Sequence, residues 1–267
     1  MKLFTNSKLS FFAALAGLTV TANAASISMN FGPSRGDDGP GVNNAEAPHN
    51  NVLSSTTSAG VVPSTNWNDK TEAKHGNSAV ADDSGTLLTT TVSVQTSWTN
   101  GVVDHDTTDG NNILMNGGLD NGGGPQGATI VGVPYSLYDV YIYFDGGNTN
   151  KSGTYTVNDT DNGDAVLATQ NAYDRGTWGG TFVEASTVGI GGTGLDANGD
   201  PVGSNYVHFT GLTAPNIKVL ATAFNHPGEG TPRAPINGIQ IVESIPEPSS
   251  MMLALLGLIG FVSRRKR

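Results

Sequence analysis

Two tryptophans in this 267-residue chain stand beside polar residues that suit sugar recognition. Trp67 is followed by Asn68, and Trp178 closes a stretch that also contains Asp174 and Arg175. Indole rings stack on the C–H faces of sugars, while amide, carboxylate and guanidinium groups pair with hydroxyls. The pattern predicts that these five residues contribute to a glycan-binding surface, with core packing of the rings as the alternative.

A short acidic segment resembles the start of an oxygen-ligand loop for calcium. It reads D-x-N-x-D, and its candidate Ca²⁺ ligands are Asp196, Asn198 and Asp200. Pro201 stands where such a loop needs glycine, and Val207 stands where its last glutamate belongs, so the pattern is incomplete. Further acidic turns lie at 145–148 and 159–164. Because Asp, Asn and Gly are also ordinary turn residues, a turn without metal is the alternative at all three.

Catalytic signatures are missing from the sequence. It has no G-x-S-x-G elbow, no H-E-x-x-H pair and no cysteine, and its five histidines are scattered. We therefore expect no catalytic residues, although abundant Asp leaves a polysaccharide-active enzyme with paired carboxylates open. The formal net charge of −10 excludes the basic footprint that nucleic-acid binding requires.

Short strand patterns fill the middle of the chain. Runs rich in Val, Ile, Thr and Tyr alternate with clusters of Gly, Asn, Asp and Pro, without a sustained helical period. The predicted strands cover 26–31, 86–98, 128–133, 139–144, 153–158, 165–169, 181–185, 206–209, 217–224 and 238–243. This number of short strands predicts an all-β fold built as a single β-sandwich. Residues 32–60 and 104–127 are mainly polar, and we expect them to form surface loops on that domain.

The N-terminus has the three parts of a secretory signal peptide. A basic start precedes a short apolar run at 9–20, and the sequence Ala22-Asn23-Ala24 supplies an A-x-A exit. The pattern predicts cleavage after Ala24. The apolar run is too short for a membrane anchor, which is the alternative.

The C-terminus has an equally ordered pattern. Pro246, Glu247 and Pro248 precede an apolar run at 251–262 and a basic tail at 264–267. This order resembles the PEP-CTERM sorting signal. The resemblance implies processing near the PEP motif by an exosortase-type membrane protease, transient inner-membrane anchoring by 251–262, and delivery to the cell surface linked to exopolysaccharide. An ordinary tail anchor is the alternative.

Most of the remaining chain resembles secreted domains that occur in PEP-CTERM proteins. The pieces that carry this resemblance are Asn30-Phe31, Trp67-Asn68, 114–118, 138–144 and 236–242. The resemblance implies a sandwich of jelly-roll or galactose-binding-like type. No catalytic signature comes with it.

Together these patterns predict a signal peptide at 1–24, a β-sandwich domain at 25–244 and a sorting signal at 245–267. We expect an exported, non-catalytic protein of the cell envelope or extracellular matrix that binds exopolysaccharide and holds structural Ca²⁺. The expected partners are the export machinery, signal peptidase and an exosortase-type protease, with no nucleic acid. A structural matrix protein without a defined ligand is the closest alternative.

Overall fold

The structure is a computed structural model. It describes residues 24–32, 53–69, 77–95, 99–101, 108–119, 124–146, 151–174, 176, 178–185, 195, 197, 202–223 and 232–244.

Thirteen strands account for most of the regular structure in these residues. They are β1 Ser26–Asn30, β2 Asn68–Asp69, β3 Ser78–Ala81, β4 Leu87–Gln95, β5 Thr99–Gly101, β6 Gly117–Leu119, β7 Gln126–Val131, β8 Tyr138–Tyr143, β9 Lys151–Asp159, β10 Ala165–Asp174, β11 Tyr206–Leu212, β12 Asn216–Ala223 and β13 Gly238–Glu243. One short helix, α1, spans Gly110–Met115, and a 3-10 turn spans Thr160–Asn162. The prediction of an all-β chain is confirmed.

Two large sheets organise the domain. One has five strands in the order β11-β8-β13-β1-β2, and the other has six in the order β10-β9-β12-β7-β4-β3. Strands β5 and β6 form a separate pair. Neighbouring strands in the described chain run antiparallel, except for the parallel pair β1 and β2.

Both sheets contribute to one apolar core. Val140 and Ile142 of β8 lie in the same buried cluster as Val157 of β9 and Val219 of β12. Side chains alternate between the two faces of a strand, so every second residue of these strands reaches the core. The arrangement is consistent with the predicted β-sandwich.

A second apolar cluster covers the outer face of the five-stranded sheet. It joins Tyr141 and Tyr143 of β8 to Trp67, Leu53 and Ala59. The prediction that 32–60 forms only a surface loop is therefore wrong for residues 53 and 59, because the tyrosine-bearing face of β8 needs apolar cover.

The same cluster corrects the prediction of a surface loop at 104–127. Helix α1 buries Ile113, Leu114 and Met115 against this sheet. The helix begins where the Asp109 side chain accepts a hydrogen bond from the Asn112 amide at 2.9 Å, which is a typical N-cap. The three apolar residues are visible in the sequence, but three consecutive apolar residues in a polar stretch do not by themselves predict a buried helical turn.

The predicted strand at 181–185 is also wrong. This segment makes one isolated bridge, between Glu184 and Tyr206 at the start of β11. The Asn205 side chain accepts a hydrogen bond from the Val183 amide and donates one to the Thr181 carbonyl, each at 2.8 Å. The Asn205 side chain thus takes the first backbone groups of this segment, and backbone pairing with residues 205 and 206 is limited to the Val183 carbonyl and the Ala185 amide.

No helix in the described ranges has the length and apolar character required to cross a membrane. The predicted signal peptide before Ala24 and the apolar run at 251–262 lie outside those ranges.

Candidate functional site

A cleft of about 220 Å³ opens where β8 and β10 end and β11 begins. Polar, acidic and glycine residues form most of its wall, with one tryptophan among them. Its lining residues are Asp145, Asp174, Gly176, Trp178, Gly179, Thr181, Val183, Gly203, Ser204 and Asn205.

Two buried aspartates form the acidic part of the cleft. Asp145 lies just after β8 and is 1% exposed, while Asp174 ends β10 and is 3% exposed. The Asp174 carboxylate accepts a hydrogen bond from the Gly146 amide at 2.6 Å and another from the Gly176 amide at 3.3 Å. These bonds tie the two turns together, so the acidic pair belongs to the framework as well as to the wall of the cleft.

The environment of Asp174 changes its acidity. Burial, followed by the neighbouring charge of Asp145, raises the pKa of Asp174 to about 8. The two backbone hydrogen bonds and the positive charge of Lys151 oppose this rise. The raised pKa favours the protonated form of the Asp174 carboxyl near neutral pH, and in that form it can donate a hydrogen bond.

Asn237 holds Asp145 in place. The Asp145 amide donates to the Asn237 side-chain carbonyl at 2.6 Å. The Asn237 side-chain amide donates in turn to the Asp145 carbonyl at 3.3 Å and to the Met115 carbonyl at 3.0 Å. Residue 237 is fully buried immediately before β13, so the acidic turn is fixed to the centre of the five-stranded sheet.

Trp178 forms an aromatic wall of the cleft and is partly exposed. Its indole nitrogen donates a hydrogen bond to the Asn112 side chain of helix α1 at 2.7 Å. Its ring lies 4.8 Å from that of Phe182, which packs in turn 5.3 Å from Tyr143. These contacts fix the orientation of the indole before any ligand arrives.

The opposite wall comes from the residues before β11. Ser204 is held to β10, because its amide and its hydroxyl both donate to the Tyr173 carbonyl, at 2.8 and 3.2 Å. The Asn205 carbonyl accepts from the Phe144 amide at 2.9 Å. The walls are therefore bonded to the sheets on both sides, and the cleft is preformed.

The structure brings together two of the five residues predicted to bind glycan, Asp174 and Trp178. Arg175 lies outside the described residues. Trp67 is 5% exposed and belongs to the second apolar cluster, where its indole nitrogen donates to the Ser64 carbonyl at 2.9 Å. The Asn68 side chain binds backbone atoms of Ser28 and Ala81. Trp67 and Asn68 therefore hold β2 against its neighbours, away from the cleft.

Sequence reasoning missed several residues of this site. Asp145 stood out only as part of an acidic turn, and nothing in the chain order pairs it with Asp174. Asn112 and Asn205 lie in polar stretches without a distinctive motif. Only the fold shows that they position Trp178 and the cleft wall.

The predicted calcium ligands Asp196, Asn198 and Asp200 lie outside the described residues. Within the part of the chain that the structure describes, no group of three or more His, Asp or Glu side chains is arranged to hold a metal ion.

The acidic turn at 159–164 is occupied by internal contacts. Asp159 accepts from the Asp161 amide at 2.9 Å, and both Asp161 carboxylate oxygens accept from Asn216 at 2.9 Å. Asp164 pairs with Lys218 at 2.8 Å. These partners explain the turn without a metal.

The residues predicted to take part in processing lie at the edges of the described chain. Ala22, Pro246, Glu247 and Pro248 lie outside it. Ala24 is the first described residue and is partly buried against the second apolar cluster. Cleavage after Ala24 stays a prediction.

Comparison with known proteins identifies the C-terminal segment. Residues 244–267 match the PEP-CTERM protein-sorting motif. No curated protein and no solved structure matched the chain. The chain therefore carries a PEP-CTERM sorting motif, the C-terminal sorting signal of exosortase substrates, at residues 244–267.

Proposed function

We propose that this exported, exosortase-sorted protein is a non-catalytic surface protein that binds one unit of a glycan chain in the cleft beside Trp178. The observation that carries the proposal is a partly exposed, pre-oriented indole in a wall that otherwise offers hydroxyl, amide and carboxyl groups. Aromatic faces with a few placed polar groups are the usual means of recognising small polar rings.

The size of the cleft agrees with a single sugar unit. At about 220 Å³ it is smaller than the roughly 300–1,000 Å³ pockets that enclose drug-sized ligands. We infer that one residue of a polysaccharide enters the cleft while the rest of the chain continues outside. Exopolysaccharide of the producing cell is the natural candidate for an exported, surface-directed protein, and location in an extracellular matrix is part of this proposal.

The charge of the molecule restricts the ligand further. The net charge of −10 and the acidic pair in the cleft disfavour a polyanionic chain. The cleft therefore fits a neutral glycan better than a charged one as its ligand.

The test is binding of the full-length chain, in mild detergent, to a glycan array and to the matrix polysaccharide of its own cell. Loss of the indole in Trp178→Ala should weaken binding by roughly 30-fold, since removal of a central aromatic anchor costs about 2 kcal/mol. Trp178→Phe should retain part of the affinity because it keeps an aromatic face. Saturable binding by the native chain is required.

The matched control is Leu87→Ala on β4. Leu87 is 71% exposed and is absent from the cleft wall, so its removal should leave binding unchanged. Equal binding by native protein and Trp178→Ala would contradict the proposal. A structural matrix role without a ligand would then lead.

Calcium is a separate proposal, resting on Asp196, Asn198 and Asp200 alone. The same titration repeated with excess Ca²⁺ and then with chelator tests it. Weaker binding or lower thermal stability in chelator would support a structural ion. Loss of this chelator effect in Asp200→Asn would assign the ion to this segment.

The acidic pair favours one second candidate function, hydrolysis of a glycosidic bond. Two carboxyl groups at one cleft, one of them with a raised pKa, resemble the acid and base arrangement that glycosidases use. Binding remains the leading proposal because Asp145 and Asp174 are almost wholly buried and Asp174 already accepts two backbone hydrogen bonds.

Release of reducing ends from bound polysaccharide distinguishes the two functions. The leading proposal expects no release by the native chain. Release that disappears in Asp174→Asn but persists in Asp164→Asn, which changes an exposed ion pair outside the cleft, would replace binding with hydrolysis.

A further inference from the structure

We infer that, while the sorting motif anchors the protein in the membrane, the domain stands with one end toward the membrane and with the cleft at the opposite end, facing away. The orientation is argued from strand topology and from the short link between the domain and the apolar run, and its use in ligand capture rests on the proposed function. It gives the two ends of the sandwich different partners: a lipid surface at one and a glycan at the other.

Both chain termini leave the domain at the same end. Strands β1 and β13 pair antiparallel, with Ser26 opposite Val242. The Glu243 amide donates to the Ala25 carbonyl at 2.8 Å, so the ladder continues to the last residues before the tail. We call this the terminal end, and the sorting motif leaves the domain from it.

The C-terminal residue of the domain is fastened there. The Ser244 amide donates to the Leu137 carbonyl at 2.9 Å, and its hydroxyl donates to the Asp139 carboxylate at 2.9 Å. The other oxygen of Asp139 lies 3.1 Å from a ring nitrogen of His208 on β11. The sorting motif therefore starts from a residue bonded to the beginning of β8, and Asp139 links this point to β11 through His208.

The cleft lies at the other end of the same strands. Strand β8 begins at the terminal end, where Tyr138 pairs with Glu243, and runs toward Asp145 in the cleft. Strand β11 begins beside the cleft, directly after Asn205, and runs back. The six residues of β8 span about 20 Å at roughly 3.4 Å per residue.

The tether, which we define as residues 245–250, is too short to let the domain turn its cleft toward the membrane. Six residues, 245–250, separate Ser244 from the apolar run that begins at 251. Fully extended they reach at most about 20 Å. Two of the six are prolines, which restrict the backbone further. The terminal end therefore stays near the lipid surface, and the cleft points outward by about the height of the sheet.

Single introduced cysteines can test this orientation, because the native chain has none. Ser84→Cys labels the terminal end: Ser84 is exposed, and its neighbour Asp83 donates its amide to the Ser26 carbonyl at 2.9 Å. Thr181→Cys labels the exposed rim of the cleft. Each full-length variant is labelled with a fluorophore and reconstituted in phosphatidylcholine vesicles that contain a headgroup-attached quencher.

We expect the label at 84 to be quenched several-fold more than the label at 181. In detergent without quencher lipid, the two labels should fluoresce equally. Insertion of a flexible Gly/Ser segment of about ten residues after Ser244 should remove the difference, because the longer tether lets the domain tumble. Equal quenching in the native tether, or stronger quenching at 181, would overturn the inference.

The readout separates this inference from the proposed function. Quenching needs no ligand, so Trp178→Ala should lose glycan binding and keep the quenching difference. Retained binding with equal quenching would overturn the orientation alone.

Discussion

Asp174 shows how one residue can act in the fold and in the site at once. Its carboxyl ties the turns after β8 and β10 through backbone amides, and it also lines the cleft. Burial and the charge of Asp145 raise its pKa to about 8. The protonation state of Asp174 therefore affects both the stability of the fold and the recognition of a ligand in the cleft.

The raised pKa makes stability depend on pH with a definite sign. Between about pH 4 and pH 8 the folded state keeps a proton that the unfolded state has lost. The free energy of unfolding should therefore fall as pH rises, by about 1.4 kcal/mol per pH unit from this group. Above pH 8 both states are ionised and the dependence ends.

Urea unfolding of the full-length chain in detergent, repeated across this pH range, measures the slope. Asp174→Asn should remove this contribution, because an amide does not titrate. Asp164→Asn, which alters only a more exposed ion pair with Lys218, should keep it. An unchanged slope in Asp174→Asn would show that burial does not protonate this carboxyl.

The two tryptophans predicted to bind glycan, Trp67 and Trp178, differ in how far their rings are buried. Trp67 is enclosed by apolar neighbours and satisfied by the Ser64 carbonyl. Trp178 is anchored at its nitrogen by Asn112 while its ring remains partly exposed. Burial, which depends on the whole fold, decides which indole can meet a ligand.

At the scale of elements, helix α1 connects the apolar cover of the sheet to the cleft. Its apolar residues pack on the outer face of the five-stranded sheet, while Asn112 reaches Trp178. Its first residue, Gly110, lies against the chain at Ser58: a Cβ built there would stand 2.1 Å from the Ser58 carbonyl oxygen.

Gly110→Ala should therefore displace the helix from the segment that contains Ser58. We expect a loss of about 1–3 kcal/mol in the free energy of unfolding, as for other overpacked sites, and weaker glycan binding because Asn112 moves with the helix. Urea unfolding and the glycan titration measure the two effects.

Gly179→Ala is the matched control for the unfolding measurement alone, because Gly179 lines the cleft. A Cβ at Gly179 meets nothing within 4 Å, and the position does not require a positive φ. Its stability should stay within about 0.5 kcal/mol of the native chain. A Gly110→Ala protein as stable as this control would contradict the close approach at Ser58.

At the scale of the whole molecule, the first and last described strands, β1 and β13, pair with each other inside the five-stranded sheet. Strand β1 cannot complete its ladder until β13, almost 220 residues later, is available. Pairing over such a separation raises the contact order of the domain, which favours slow folding. The domain is thus complete only when β13 is available, and β13 ends directly before the sorting motif at 244–267. The same pairing places both termini opposite the cleft.

The sequence by itself determined the chemistry that is local in the chain. The PEP motif, its apolar run and its basic tail are contiguous, so their order could be read directly and is confirmed by the match at 244–267. The all-β character follows equally from a period of two along single strands.

Only the tertiary structure decided what depends on distant segments meeting. It brought Asp145 and Asp174 into one cleft, buried Trp67 and turned the apolar residues of α1 inward. It also left 181–185 with a single bridge to Tyr206 in place of a strand. Strand patterns show which face of a strand is apolar. They do not show which strands become neighbours, because pairing is set by packing across the whole domain. For that reason the candidate site belongs to the fold, while the destination of the protein is encoded in its last 24 residues.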